Sequence, residues 1–156
     1  MYGVSKLDIC EDVAVVTLNK MPLDLGVAAD FFTGLGRAGI VIDMVSQTSP
    51  VGDRVSLAFT CLDADLRGVL DAVKKLREAH PGISSLVSSG NVKVQLFGEE
   101  MRTASGVFAR ALSALADIKV EPQLITTSEV DISLLIPAPR LVCAKSALED
   151  AFGLLA

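Results

Sequence analysis

The pattern of apolar and polar residues in the first half of this chain is repeated in similar form in the second half. Residues 13–18 and 92–97 have the period-two alternation of a β-strand with one buried face. Each strand precedes an irregular loop that ends in a glycine, and the following apolar residues recur at helical spacing. The sequence therefore predicts two copies of a strand–loop–helix segment, with helices that open near Gly26 and Gly106. The first helix is expected to end at Gly39, where a left-handed residue is needed.

The rest of each copy is predicted to contain two further strands and a second helix. The βαββα order predicts a hairpin sheet with both helices packed on one face. The predicted second strands span 40–47 and 120–127, the third strands 55–61 and 131–136, and the second helices 65–79 and 141–152.

Alignment of the two copies supports an internal repeat. At an offset of 80, Met21 falls on Met101, Gly26 on Gly106 and Leu35 on Leu115. After a gap of three residues in the turn, the segment Val55-Ser-Leu57 is aligned with Ile132-Ser-Leu134.

The fourth strand of each sheet suggests how the copies are connected. Residues 83–87 can complete the first copy after the Pro81-Gly82 turn, whereas the second copy has no such segment after its last helix. The strand-like N-terminal segment can supply that strand. The prediction is an α+β protein of two ferredoxin-like βαββαβ units with antiparallel four-stranded sheets. The first unit (13–88) is inserted in the second (91–156, completed by 3–10). The alternative assigns the N-terminal strand to the first unit.

Composition and charge narrow the classes of function. The net charge is −5, the acidic and basic residues are interspersed, and tryptophan is absent. A nucleic-acid partner would call for a clustered basic face and stacking aromatics. No apolar run reaches the roughly 18 residues of a membrane helix, and no signal peptide is recognisable. We therefore expect a cytoplasmic protein with neither a nucleic-acid nor a membrane partner.

Candidate reactive residues are few. Cys10, Cys61 and Cys143 are far apart, form no CxxC pair, and are expected to be core or surface residues. His80 is the only histidine, so a Ser/His/Asp or Cys/His arrangement cannot be drawn. The sequence predicts no catalytic residue, no metal site and no cofactor.

Several segments resemble the paired ACT domains of aspartate kinases. The segment Leu124-Ile-Thr-Thr-Ser-Glu129 is similar to the family's Leu-Ile-Ser-Thr-Ser-Glu element, and Gly26-Val-Ala-Ala29 is similar to its helix start. Residues 38–47 resemble the family's Ala-Gly-Ile-Asn-Ile-Asp-Met strand, and 147–153 resemble its closing helix. The resemblance covers nearly the whole chain.

This resemblance implies a regulatory module that gives feedback control by lysine or threonine and has no catalytic site. It also implies a catalytic aspartate kinase subunit as a partner. The open strand edges and surplus apolar residues predict a homodimer formed through the ACT sheets. The chain is then a regulatory subunit, a freestanding relative, or part of a longer protein.

An amino-acid effector needs donors for its carboxylate and acceptors for its ammonium. Backbone N–H groups at a helix start provide donors, and a carboxylate or amide nearby provides acceptors. By analogy with the family, the expected effector-binding residues are Asp24, Gly26, Val27, Ala28, Ile42, Gln47, Thr127 and Ser128.

Other interpretations of these residues remain open. Asp24 could only cap a helix, and Thr127 and Ser128 could only shape a hairpin turn. The family pattern also changes at Leu23, Leu25 and Pro122, and proline offers no backbone donor. The alternative functions are a structural dimerisation module that has lost its effector, and a freestanding sensor of another small ligand.

Overall fold

The computed structural model describes residues 2–154, which divide into two compact units. The first unit consists of residues 12–89. The second unit consists of the residues on either side, up to Glu11 and from Gly90 onward. Two long strands, β1 (Lys6–Pro22) and β4 (Ser84–Phe97), contribute residues to both units.

The first unit contains two helices and a sheet with the strand order β2-β3-β1-β4. β3 pairs antiparallel with both β1 and β2. Besides its parts of β1 and β4, the unit contains α1 (Leu25–Arg37), β2 (Val45–Gln47), β3 (Arg54–Leu62) and α2 (Leu66–Ala79).

The second unit has the same layout, with the strand order β1-β4-β6-β5. β6 pairs antiparallel with β4 and with β5. Its own elements are α3 (Val107–Asp117), β5 (Leu124–Thr127), β6 (Asp131–Pro137) and α4 (Leu141–Phe152). The predicted α+β class with ferredoxin-like units is confirmed. Among residues 2–154, no helix is long and apolar enough to cross a membrane.

In two places the sequence predicts a pair of short strands, and the structure has one long strand instead. The expected strands over 4–10 and 13–18 are one continuous strand, β1, and those over 83–87 and 92–97 are parts of β4. Asp12 and Gly90 have positive φ angles of 57° and 70°. A local irregularity of this kind bends a strand without ending it, so polar residues there did not mark a strand end.

The second strands of both units begin later than predicted. β2 starts at Val45 rather than residue 40, because the Thr60 hydroxyl accepts a hydrogen bond from the Met44 N–H at 2.9 Å in place of a regular ladder partner. β5 starts at Leu124 rather than residue 120, just beyond Pro122, which has no N–H to donate.

The alignment of the third strands was wrong by two residues. Gln47 pairs with Leu57, and its counterpart Thr127 pairs with Ile132, so Ile132 corresponds to Leu57 rather than to Val55. The slip left the predicted buried face unchanged, because side chains repeat on a sheet face every two residues.

The two cores are built from different side chains. In the first unit, the rings of Phe31, Phe32 and Phe59 meet edge to face, with centroids 5.2–5.8 Å apart. Leu134 occupies the Phe59 position in the second unit, whose core is mostly aliphatic and also contains Phe152. The predicted helix end at Gly39 is confirmed by its φ of +78°.

Candidate functional site

A small cavity lies at the start of α1 in the first unit and is called the first pocket. Its volume is about 110 Å³, and it brings together three of the predicted effector residues, Asp24, Ala28 and Gln47. The remaining lining residues are mostly apolar: Met21, Pro22, Leu23, Leu25, Val55 and Leu57.

The polar groups of the first pocket suit a small zwitterion. The Gly26 N–H donates to Asp24 Oδ1 at 2.9 Å, so Asp24 is the N-cap of α1. An ionised carboxylate has about four acceptor positions, so capping leaves Asp24 with further capacity for an ammonium group. Gln47 lies at the end of β2 and adds an amide.

The first pocket is small because the chain closes around it. β1 continues to Pro22, which leaves only Leu23 and Asp24 before α1 begins. The connection between β2 and β3 reaches the same place, where the Leu23 N–H donates to the Asp53 carbonyl at 2.8 Å.

A larger cleft occupies the equivalent place in the second unit and is called the second pocket. Its volume is about 690 Å³. Gly106 and Phe108 correspond to Gly26 and Ala28, and Thr127 corresponds to Gln47. Its lining residues are Met101, Arg102, Ala104, Gly106, Val107, Phe108, Thr127, Ser128, Glu129 and Ile132.

The second pocket carries a pair of opposite charges. The Arg102 guanidinium donates to the carboxylate of Glu129, across the opening between the helix loop and the hairpin turn. Arg102 Nε also lies 3.1 Å from Glu99 Oε2. Helix α3 differs from α1 because Gly106, at its N-cap, has a φ of +80° and no side chain caps the first turn.

The hydroxyl of Ser128 is committed to the turn between β5 and β6. It donates to Asp131 and accepts from the backbone N–H groups of Val130 and Asp131, each at 3.2 Å. A serine hydroxyl has one donor and two acceptor positions, so these three bonds use its full capacity. Ser128 therefore shapes the wall of the second pocket.

The carboxylate of Asp131 anchors the same turn. Burial raises the pKa of Asp131, but hydrogen bonds to the charged form together outweigh burial, and the pKa lies below its usual value of 3.8. The donors are Ser128, Gln95 at 2.9 Å and Ser133 at 3.1 Å, and Lys93 adds a favourable charge.

The structure distributes the remaining predicted residues as follows. Gly26 adjoins the first pocket through its hydrogen bond to Asp24. Val27 and Ile42 instead pack against the core of the first unit. Thr127 and Ser128 line the second pocket.

The sequence analysis missed several residues of the second pocket, above all Arg102, Phe108 and Glu129. A signal for them was present, because the offset of 80 maps the loop at Asp24 onto the segment that follows Arg102.

The three cysteine thiols lie outside both pockets. Burial, followed by the charges of Asp65 and Asp63, raises the pKa of the Cys61 thiol to about 11, so the reactive thiolate is disfavoured. All three cysteines are free. The described residues contain no group of three or more His, Cys, Asp or Glu side chains that could hold a metal ion.

Comparison with known proteins identifies the class of this module. Residues 94–152 match the model of the ACT domain. The chain is 38% identical over 144 residues to the aspartokinase of Corynebacterium glutamicum, a match that covers 91% of this chain and 34% of that enzyme. The chain thus spans about a third of the length of such relatives.

Solved structures define the family more closely. The regulatory subunit of aspartate kinase from Thermus thermophilus, in its ligand-free form, is 30% identical with a TM-score of 0.85. That match covers 96% of this chain and 99% of the subunit. The aspartate kinase from Synechocystis is 28% identical with a TM-score of 0.90, over 97% of this chain and 27% of that enzyme. The chain belongs to the family of aspartate kinase regulatory regions.

Proposed function

We propose that this chain senses a free amino acid and gives allosteric feedback to an aspartate kinase, without catalysis of its own. The observation that carries the proposal is the first pocket, where Asp24 and Gln47 lie beside the first turn of α1. Membership in the family of regulatory regions supports the same function. A bound ligand would favour one conformation of the module, and a linked catalytic partner would respond to that shift.

The binding mode follows from the charges of a zwitterion. The N–H groups of Gly26 and Val27 already donate to Asp24, so the ligand carboxylate would lie against the first turn of α1 at Ala28, where the helix dipole favours negative charge. The ligand ammonium would lie between the Asp24 carboxylate and the Gln47 amide oxygen, both of which accept hydrogen bonds.

The lining of the first pocket favours threonine over lysine as the effector. Asp24 is the only carboxylate among its lining residues, and the volume is about 110 Å³. A lysine ligand carries two ammonium groups, and a desolvated charge without a partner is costly. Threonine carries one ammonium group and a small side chain that suits the apolar wall.

Ser128 favours a second candidate for one of the two units. Because the turn uses all of its hydroxyl hydrogen bonds, Ser128 has no side-chain capacity left for an effector. A structural module that associates without an effector would need Ser128 only to shape the turn, so this arrangement favours that alternative for the second unit.

The partners proposed are a second copy of the chain and a catalytic aspartate kinase region, in the cytoplasm. Strand β2 lies at the edge of its sheet, and apolar side chains are exposed on and beside it, including Val41 and Val45. Such an edge is suited to pairing with another chain. Self-association would be measured by analytical ultracentrifugation.

Calorimetric titration and thermal melting with threonine and lysine would test the proposed effector. A ligand present at about 100 times its Kd stabilises the folded state by about 2.7 kcal/mol. We expect threonine to bind, and Asp24→Asn to weaken its binding while it preserves the helix cap. Asp30→Asn, an exposed carboxylate further along α1, is the matched control. Failure of both amino acids to bind would contradict the proposal and favour the structural module.

A further inference from the structure

A cleft between the C-terminal half of α2 and the start of β4 forms a third pocket. Its volume is about 450 Å³, which lies within the usual range for small-molecule sites. The third pocket lies wholly in the first unit and shares no lining residue with the first pocket. Its lining residues are Leu70, Val73, Lys74, Arg77, Glu78, Pro81 and Ser85.

Two positively charged side chains line the third pocket. Lys74 and Arg77 are three residues apart, so they are neighbours on one face of α2. Arg77 Nε donates to the Ile83 carbonyl at 2.9 Å, which holds the guanidinium in place and leaves its terminal N–H groups available. Within residues 2–154, neither Lys74 nor Arg77 forms an ion pair. Their two full charges exceed the roughly half negative charge of the helix end, so the pocket favours an anion.

The donors of the third pocket suit a phosphoryl group better than a carboxylate. A guanidinium can donate two parallel hydrogen bonds to a phosphoryl group, and an ammonium adds a point charge. Ser85 is half-buried on β4 and adds a hydroxyl from a second element. A phosphoryl group has three terminal oxygens to share among these three side chains, whereas a carboxylate has only two.

Glu78 limits what the phosphoryl group can be attached to. Its carboxylate lines the same pocket, where it repels a further negative charge and can accept hydrogen bonds from hydroxyl groups. Leu70, which is 41% exposed, and Pro81 add an apolar surface. The ligand that matches these groups has one phosphoryl group, several hydroxyl groups and a small apolar face. A sugar phosphate has this chemistry.

We propose that the third pocket binds the phosphate monoester of a sugar, either free or as part of a nucleotide. Lys74, Arg77 and Ser85 hold the phosphoryl group, and Glu78 accepts hydrogen bonds from the sugar hydroxyls. The inference concerns residues outside the first pocket, so it stands whether or not that pocket binds threonine.

Calorimetric titration of the purified chain with ribose 5-phosphate tests the proposal. We expect Lys74→Met to weaken binding about tenfold, the usual effect of losing a charged hydrogen bond. Lys75→Met is the matched control, because Lys75 is the next residue of α2, carries the same charge and does not line the third pocket. Absence of binding at millimolar concentration, or equal loss in the two variants, would overturn the proposal.

Inorganic phosphate tests the role of Glu78 separately, because it makes the phosphoryl contacts alone. Glu78→Gln removes a repelling charge and should therefore bind inorganic phosphate more tightly. A neutral amide is also a weaker acceptor than a carboxylate, so the preference of this variant for ribose 5-phosphate over inorganic phosphate should fall. A parallel loss of both ligands would show that Glu78 supports the fold only, and would contradict the proposed contact.

Adenosine 5′-monophosphate distinguishes the two sources of the phosphoryl group. Tighter binding than ribose 5-phosphate would support a nucleotide whose base covers Leu70, and equal affinities would support a free sugar phosphate. Adenosine lacks the phosphoryl group and should bind at least tenfold more weakly than its monophosphate. Equal binding of adenosine and its monophosphate would refute the contacts to Lys74 and Arg77.

Discussion

The two pockets occupy equivalent places in equivalent units, yet their walls differ in closure and in charge. In the first pocket, Leu23 and Asp53 join two loops by a backbone hydrogen bond and leave about 110 Å³. In the second pocket, the residues 98–106 form a longer loop, the hairpin turn is short, and about 690 Å³ stays open. Loop length rather than the sheet therefore sets the volume of each pocket.

The helix starts show the same divergence. Asp24 caps α1 with a carboxylate, whereas α3 has no side-chain cap and its neighbouring charges are Arg102 and Glu129. The two units thus share a topology, while the charged residues beside their helix starts differ.

The largest expected difference between the units concerns their cores. Phe59→Ala removes a fully buried ring that contacts two others, and should lower the free energy of unfolding by about 3–5 kcal/mol. Phe59→Leu, which introduces the residue found at the equivalent Leu134, should cost less than half as much. Urea denaturation measures both. Equal losses would mean that the aromatic cluster tolerates no aliphatic substitute.

Close approach of the N-terminal segment should make Gly98 the most sensitive glycine of the second unit. A Cβ at Gly98 would lie 1.8 Å from the Gly3 carbonyl oxygen, so Gly98→Ala must displace backbone and should cost about 3 kcal/mol. Gly34→Ala, within α1 and with no atom near its Cβ, should instead stabilise the first unit by about 0.5–1 kcal/mol. Thermal melting of the two variants should therefore shift in opposite directions.

Acid should loosen the hairpin of the second unit before that of the first. The folded-state pKa of Asp131 lies below its usual 3.8, so its stabilisation is fully present above that pH and is lost as pH falls through the folded-state pKa. The equivalent residue in the first unit is Ser56, whose hydroxyl donates to Asn19 at 3.0 Å and does not titrate in acid.

Amide hydrogen exchange in the acid range would measure this difference. Asp131→Asn should remove the pH dependence of β5 and β6 and cost about 1–2 kcal/mol near neutral pH. Ser56→Ala is the control, with a loss independent of pH. Simultaneous opening of both hairpins in acid would contradict the assignment to Asp131.

Loss of the α1 cap should have a smaller effect. Asp24→Ala leaves the Gly26 N–H without its acceptor and should cost about 1 kcal/mol, whereas Asp24→Asn should be nearly neutral. Urea denaturation of both variants checks this. A large loss in Asp24→Asn would indicate that the negative charge, rather than the cap, stabilises the helix.

The smallest effect on stability is expected at the ion pair of the second pocket. Arg102→Met should change the free energy of unfolding by about 0.5 kcal/mol or less, because both partners are largely exposed. A large loss of stability would show that the pair holds the fold together.

Sequence patterns were sufficient for the fold class and most helix bounds. The helix predicted over 141–152 is α4 to the residue, since an apolar stripe bounded by Gly153 depends on local spacing. The offset of 80 also indicated that the two helix starts are equivalent. Asp24, Ala28 and Gln47 line one cavity, because a short loop and a strand end on one sheet lie close together; their role in effector binding stays a prediction.

Contacts between distant segments decided the rest. The pattern of residues 48–53 and 98–106 does not predict how far each loop folds over its pocket. The position of these loops sets the two pocket volumes. The pairing of Arg102 with Glu129 and the approach of Gly3 to Gly98 likewise join residues far apart in the chain. Periodicity is a local property that survives in a sequence, whereas loop closure and charge pairing depend on three-dimensional proximity, which only the tertiary structure provides.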